Sequence, residues 1–386
     1  MSPVATQKTS FTVIPESRQR YPGSSAFDLQ RCKSRWIPAF TGMTPWGVLI
    51  ACLLFFLTAC TTTPEPLHLH GESMGTTWQV TAYTDPSRAP ALCERIDTRL
   101  GELIAQMSAW EPDSDLSRFN RADTNTWHTL PPDLFAVIQH AKALSEQTRG
   151  AYDPTIAPLV DLWGFGAQRA PRTTPPSEAE ILAAHAVVGA ERLHLDVPNR
   201  RALQSGELHL DVNSLAPGYA VDAISAVLHD AGVHAFLVEL GGEMRASGHK
   251  PDGSPWRVAV ERPDMQSEDF DTIVNLSDAA LGTSGDYRVG FMHEGRRYSH
   301  TLDPRSGAPV DHALAAVTVI APEAMAADAM AAALMVLGPE RGAALARKHG
   351  LDALFLLRDD EGNARGVGVG RLFSEEPAAI ASARGI

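Results

Sequence analysis

The sequence predicts an α+β fold built on antiparallel sheet, and three observations carry that expectation. Strand signals outnumber helix signals. Many strands join through tight turns, such as the Gly-Gly pair at 241–242. No Gly-x-Gly-x-x-Gly run opens a helix after a strand. Short turns join antiparallel neighbours, whereas a doubly wound parallel sheet needs a helical crossover between strands.

The elements are justified in chain order. Residues 76–83, TTWQVTAY, alternate as a strand, and 89–110 carry apolar residues at helical spacing. PDSDLSRFN (112–120) reads as a polar turn cluster. Residues 133–150 read as a helix stopped by Gly150, and Gly164 and Gly166 close YDPTIAPLVDLWGFG. Residues 167–177 are a Pro/Thr-rich loop, the best place for a variable insertion. ELHLDV (207–212) reads as a strand, followed by a helix, SLAPGYAVDAISAVLHDAG, with Asn213 or Ser214 as N-cap and Gly232 as its stop. AFLVELGGEMRASG reads as strand, turn and strand. WRVAVE, TIVNL, AALGTSG, RRYSHTL and LAAVTVIA continue as strands. PEAMAADAMAAALMVLG is a helix with Pro322 in its first turn and Gly338 after its end. A further helix, LDALFLL and a short strand finish the chain.

Composition is that of a globular protein: 386 residues, 44% hydrophobic and 20% charged, enough for one large domain or two smaller ones. Lys+Arg total 33 against 46 Asp+Glu, a net charge of −13. That balance argues against nucleic-acid binding and against adhesion to an anionic membrane by charge alone. An anionic ligand in a site of local opposite sign remains compatible with it.

Near the N-terminus, VLIACLLFFL (48–57) is an apolar run too short to span a bilayer, which takes ~20 residues, and of signal-peptide length. LTAC follows, ending at Cys60, and resembles a bacterial lipoprotein signal. The alternative is a plain secretory signal with an incidental cysteine. A lipidated Cys60 anchors a protein by acyl chains. A signal n-region is short, so translation is expected to begin at Met43. The expected division is therefore leader and signal 1–60, tether 61–70, one domain 71–372 and tail 373–386. Of the four cysteines, Cys32, Cys52, Cys60 and Cys93, only the last two survive cleavage. With Cys60 acylated, no intramolecular disulfide and no cysteine metal cluster remains possible.

Several residues carry chemistry. Asp328 sits in a helix apolar on nearly every face. A carboxylate buried there costs roughly 2–7 kcal/mol unless it meets a cation, a donor or a metal; the other reading places it on the one exposed stripe. Flanking alanines allow close approach by a backbone or a ligand. Asp211 precedes a helix start, where anions bind. Either it caps the turn or it faces a bridging metal or a sugar hydroxyl. The glycines of ELGGEM admit a ligand or make a hairpin. GTSGDYR holds small hydroxyls, Asp286 and Arg288. His300 and Asp303 are three residues apart, on opposite faces of an extended strand, so they are not a hydrogen-bonded dyad. Asp303 before Pro304 suits a turn start. His300 is either a general base or a satisfied structural histidine. His-Glu-x-x-His, Walker A and Gly-x-Ser-x-Gly motifs are absent.

Eight blocks in order over about 300 residues resemble the ApbE-type FAD:protein FMN transferases. They are SMGTTW, MSAWEPDSDLSRFN, GAYDPTIAPLVDLWGFG, LDVNSLAPGYAVD, VELGGEMRASG, TSGDYR, YSHTLDPRSGAPV and AMAADAMAAALMVLG. The resemblance implies an ApbE-like (T-fold-like) arrangement of antiparallel sheets packed with helices, with an FAD cleft between sub-lobes. It implies Mg²⁺-dependent cleavage of the FAD pyrophosphate and transfer of FMN to a threonine of a target flavoprotein, with release of AMP. By the same resemblance Met74, Trp110, Ala151, Tyr152, Asp153, Asp211, Pro217 and Leu302 contact FAD, with Trp110 stacking on the flavin. Ser214, through its backbone oxygen, Asp328 and position 332 hold the metal, and His300 acts at the transfer step. Lipoprotein signals are common in the family, which implies a membrane anchor facing the periplasm.

Three positions depart from the pattern. Ala332 stands where the family commonly has a threonine, and Ala331 where some relatives have a carboxylate, so the cation loses oxygen ligands. Mg²⁺ retains water readily. Pro217 replaces a charged residue. The alternatives are an FAD pyrophosphatase and a non-catalytic FAD-binding lipoprotein.

Overall fold

The computed structural model describes residues 64–167, 171–261, 270–286, 289–359 and 364–373. From Pro66 onward they belong to one compact unit. Met43, Cys60, Arg288 and the tail beyond Phe373 lie outside the described residues.

The chain opens with β1 (Leu67–Ser73) and β2 (Thr76–Ala82), so part of the segment read as a tether is already strand. Next come α1 (Ala89–Met107), α2 (Asp115–Asn120), β3 (Thr126–Thr129), α3 (Pro132–Thr148), α4 (Ala157–Leu162) and α5 (Glu178–His185). The middle holds β4 (His194–Asp196), β5 (Arg201–Gln204), α6 (Ala216–Asp230), β6 (Phe236–Leu240) and β7 (Glu243–Ser247). Then follow β8 (Trp256–Glu261), β9 (Phe270–Leu276), β10 (Ala279–Gly285), β11 (Gly290–His293) and β12 (Arg296–Ser299). The chain ends with β13 (Leu302–Asp303), β14 (Ala308–Pro309), β15 (Leu314–Ala321), α7 (Ala324–Lys348), β16 (Asp352–Arg358) and β17 (Ala364–Val369).

Eight strands form one sheet in the order β1-β2-β6-β7-β10-β15-β16-β17, and every neighbouring pair is antiparallel. The expected α+β class holds. Side chains alternate between two cores, as the pleat requires. Phe236 and Val238 join α1, α6 and α7 in the larger core. Leu237, between them, faces the opposite core with Trp256, Val258 and Val274 of β8 and β9. Covered on both sides, β15 is buried over seven of its eight residues, which is why its sequence does not alternate in polarity.

Small residues let α7 approach its neighbours closely. A Cβ on Gly218 of α6 would lie 2.5 Å from the Ala324 carbonyl oxygen, and one on Gly282 of β10 2.4 Å from the Asp328 nitrogen. The approach allowed by the flanking alanines is therefore one of backbone.

Several local readings are corrected. PDSDLSRFN is not a turn cluster but contains α2: Ser114 caps it by accepting from the Ser117 N–H at 3.0 Å, and Leu116 and Phe119 point into the core. ELHLDV is not a strand. Its backbone groups are claimed by side-chain amides instead: Asn120 exchanges two hydrogen bonds with Leu210, each 2.9 Å, and Gln204 two with Leu208, at 2.9 and 3.1 Å. The N-cap of α6 is Leu215, not Asn213 or Ser214, although Pro217 does fall in the first turn. Pro322 precedes the N-cap of α7, which is Glu323. Gly338 breaks α7 as expected (φ 75°, ψ 178°), and a second helical segment follows at once from Pro339.

Candidate functional site

The cleft is assembled where four irregular segments meet two helices. Its volume is about 330 Å³. Trp110 stands on its rim, 59% exposed. The loop after α3 supplies Ala151, Tyr152 and Asp153, and the segment before α6 supplies Asp211 and Ser214. His300 and Leu302 come from beyond β12, and Ala332 and Val336 from one face of α7. Nine of the expected residues thus line one cleft. A larger cleft of about 660 Å³, walled by α2, α4 and α5, shares Asp211 with it.

Three expected residues stand elsewhere. Met74 occupies the two-residue β1–β2 turn with φ 52°, beside Gly75 at φ 75°, and packs on the larger core rather than the cleft. Pro217 lies within the first turn of α6 and does not line the cleft. Asp328 is buried one helical turn before Ala332, where its Oδ2 accepts the Gly218 N–H at 3.1 Å. The exposed-stripe reading of Asp328 is therefore excluded.

Within the cleft, hydrogen bonds decide what each group is free to do. Asp153 accepts from the Thr155 N–H and hydroxyl, at 2.8 and 2.7 Å, and from the Ala190 N–H at 2.9 Å. That carboxylate holds its loop in place. Asp211 accepts the Asn213 N–H at 2.7 Å, so it caps a turn, yet it still faces the cleft. Burial pushes its carboxyl above the ordinary range, against that hydrogen bond. The Ser214 hydroxyl donates to the Tyr152 hydroxyl at 3.2 Å. Burial raises the Tyr152 phenol well above its usual value, and nearby Asp211, Asp328 and Asp153 add to the shift. Tyr152 is thus neutral and hydrogen-bonding.

His300 lies in a bend after β12, not in a strand. Its backbone N–H and its Nδ1 both reach the Val289 carbonyl, at 3.3 and 3.2 Å. A carbonyl only accepts, so Nδ1 carries the hydrogen and Nε2 keeps its lone pair. Burial lowers the His300 pKa, opposed by the Val289 hydrogen bond and by Asp286. The ring is therefore neutral at pH 7, with a basic nitrogen. Asp303 does not serve it: it pairs with the Arg305 guanidinium at 2.8 and 2.7 Å and opens the turn. Asp286 pairs with Arg358 at 2.8 and 2.6 Å.

Three buried carboxylates lie close enough to act on one another, Glu239, Glu243 and Asp328. Burial pushes Glu239 up to about 7, against the Gly242 N–H on its Oε1 at 3.0 Å. Glu243 is raised by burial and then by the negative charge of Asp328 and Glu239. Asp328 is raised by burial, with the Gly218 N–H opposing. Among the described residues none of the three forms an ion pair. A cation beside Asp328 would supply the compensation that this burial lacks, and the hard oxygens of Asp328 and Ser214 are of the type that Mg²⁺ takes. Ala332 adds no side-chain oxygen. Among the described residues no three His, Cys, Asp or Glu side chains converge as a chelating group, so water would have to complete the shell of any Mg²⁺ there.

Sequence reasoning missed Glu239 and Glu243. The signal was present, because both carboxylates flank the Gly-Gly turn of strands otherwise built of buried residues. It also missed Phe165 and Val289, which line the cleft. No local pattern marks either one.

The fold and the cleft define an α+β enzyme whose cleft is lined by one neutral histidine and by the carboxyl groups of Asp153 and Asp211. The ApbE family model matches residues 74–355. The FAD:protein FMN transferase of Vibrio cholerae is 38% identical over 322 residues, covering 83% of this chain and 96% of that protein. The FAD:protein FMN transferase of Escherichia coli K12 is 33% identical, covering 81% and 92%. Among solved structures, the flavin transferase ApbE from Vibrio cholerae aligns with a TM-score of 0.72 at 36% identity, covering 79% of this chain and 97% of its own. The apo form of the Pseudomonas stutzeri flavinyl transferase ApbE aligns equally well, at 40% identity and 79% and 95% coverage. The chain belongs to the ApbE family.

Proposed function

We propose that this protein is an FAD:protein FMN transferase that uses Mg²⁺ to cleave the FAD pyrophosphate, joins FMN to a threonine of a target flavoprotein and releases AMP. One observation carries the reading: residues from distant segments, Trp110, Tyr152, Asp211, Ser214, His300 and Ala332, converge on a single cleft in a chain that shares its fold with flavin transferases.

The roles follow from the geometry. The exposed Trp110 indole stacks on the isoalloxazine, and Leu302 gives the cleft an apolar wall. Tyr152 and Asp211 hydrogen-bond the ligand while Asp153 keeps their loop in place. Asp328 and Ser214 would hold Mg²⁺, which would supply positive charge to the pyrophosphate. The Nε2 of His300 takes the proton of the acceptor hydroxyl as the threonine oxygen bonds the FMN phosphorus. The bond from that phosphorus to the bridging oxygen breaks, and its electron pair leaves on AMP. Met74 and Pro217 do not line this cleft, so their expected contacts with FAD would lie outside it. The apolar run and Cys60 support export and a lipid anchor on the periplasmic face of a membrane. Loss of membrane association in Cys60→Ser tests the anchor.

The test of the activity mixes the purified chain with FAD, Mg²⁺ and an acceptor domain bearing the threonine motif. Covalent flavin fluorescence on the acceptor, with stoichiometric AMP, is expected. AMP and free FMN without labelling identify a pyrophosphatase, and FAD retained unchanged identifies a binding protein.

A further inference from the structure

His300 depends on a hairpin that is not part of the main sheet. Among the described residues β11 and β12 pair only with each other, and Val289, whose carbonyl holds the ring, immediately precedes β11. The polar attachments of this hairpin run through Arg296 and through Arg297, the latter reaching Asp286, which is bonded to Ala315 and Arg358 of the main sheet. Arg296 makes an exposed ion pair with Asp311, and Arg297 bonds the backbone oxygens of Asp286 and Val289 at the hairpin's own base. Its apolar attachment is a stack of rings. Phe291 lies opposite Tyr298, with centroids 5.2 Å apart and planes 15° apart. It also stacks on Trp163 at 6.4 Å and on Phe165 at 6.1 Å. Trp163 is anchored through its Nε1 hydrogen to the Gly307 carbonyl at 2.9 Å, and Phe165 meets His300 edge-on at 6.4 Å. Phe291 does not line the cleft, so it reaches the chemistry only through this stack and the hairpin.

We propose that Phe291 is a positioning residue for His300: by clamping β11–β12 onto Trp163 and Phe165, it keeps the Val289 carbonyl on Nδ1 and the basic lone pair on Nε2. The catalytic consequence rests on the base role proposed above for His300; the orientation of the ring does not. Tyr298 also stacks on Trp163, at 5.7 Å, so removing the Phe291 ring loosens the hairpin rather than releasing it: the contact to Phe165, which meets the imidazole, is lost, and the imidazole then samples the other tautomer, whose Nε2 carries hydrogen and cannot accept the hydroxyl proton.

The experiment uses the full chain with ¹⁵N-labelled histidine. The His300 ring signals are assigned by their loss in His300→Gln, and FAD and the acceptor domain serve as substrates. In Phe291→Ala the His300 signals are expected to move from the Nδ1–H pattern toward a mixture. The kcat falls about tenfold, while KM for FAD stays within about twofold. Asp286 and Arg297 remain as the charged groups acting on the ring. Loss of burial then moves the low-pH limb of the rate profile upward, toward an ordinary histidine. Phe291→Tyr restores all three readouts. Phe291→Leu keeps apolar volume without an aromatic face and reads the same signals if the alanine variant does not fold. Unchanged ring signals in both variants overturn the proposal, as does an FAD KM that rises as much as kcat falls. Altered ring signals with undiminished transfer uphold the positioning and overturn the base role of His300.

Discussion

Asp222 and Asp328 cap each other's helices. Asp328, on α7, accepts the Gly218 N–H in the first turn of α6 at 3.1 Å. Asp222, on α6, accepts the Ala324 and Met325 N–H groups that begin α7, each at 2.9 Å. Neither helix has a capping side chain of its own at its N-cap, Leu215 or Glu323. Each carboxylate also meets the positive end of the partner's helix dipole. The exchange fixes the element that carries Asp328 against the element that follows Ser214, and so sets the back of the cleft.

Asp222→Ala leaves two first-turn N–H groups and the Arg245 guanidinium, 2.5 Å away, without their acceptor. We expect a loss of about 1–3 kcal/mol, read as a lower urea midpoint at unchanged slope. Asp222→Asn keeps one acceptor and loses less. Equal midpoints for the wild type and the alanine variant would remove the reciprocal cap as a source of stability.

Glu239 makes stability depend on pH in a direction opposite to that of a salt-bridged carboxylate. Its folded value of about 7 lies above the ordinary 4.5. Between these values the native protein keeps a proton that the unfolded chain has released. The contribution is complete below about pH 4.5 and is lost as pH rises through 7. Glu239→Gln is therefore neutral near pH 4.5 and stabilising at pH 8, on the order of 3 kcal/mol. Urea titrations at both pH values check it; a variant that gains nothing at pH 8 contradicts it.

His312 repairs a break in α7. Pro339 has no N–H, so the Met335 carbonyl lacks its partner four residues on. The His312 Nε2 hydrogen takes that place at 3.0 Å. His312→Ala leaves the carbonyl unpaired and is expected to cost about 1–2 kcal/mol. A thermal midpoint within experimental error of the wild type would show that water replaces the histidine at no cost.

Ala332→Thr puts a hydroxyl one turn from Asp328, on the face of α7 that lines the cleft. We expect the Mg²⁺ concentration for half-maximal transfer to fall about fivefold to tenfold. Titration calorimetry with Mg²⁺, without turnover, reads the same change. An unchanged affinity shows that position 332 contributes no ligand.

Much of the fold was legible because its signals are local. TTWQVTAY alternates, Gly150 and Gly232 end helices with left-handed backbone, and the Gly-Gly pair turns β6 into β7. Where local signals failed, a distant partner had taken over the backbone. ELHLDV has strand composition, yet Asn120 and Gln204 satisfy its peptide groups in place of a neighbouring strand. His300 follows a strand and its sequence reads as part of one, but its bonds to the Val289 carbonyl hold it in a bend.

The sequence by itself determined that Asp328, if buried, needs a partner, because a carboxylate in a helix apolar on nearly every face is too costly to leave alone. It also determined where the strands alternate and where the turns fall, since backbone conformation and side-chain period are properties of a few consecutive residues. Only the tertiary structure decided that the first partner of Asp328 is the Gly218 N–H, that Asp222 returns the cap, and that His300 carries its hydrogen on Nδ1. Those outcomes depend on which segments, over a hundred residues apart in the case of Gly218 and Asp328, are brought within hydrogen-bond reach. A hydrogen bond acts at about 3 Å, and no local pattern specifies a distance across the fold.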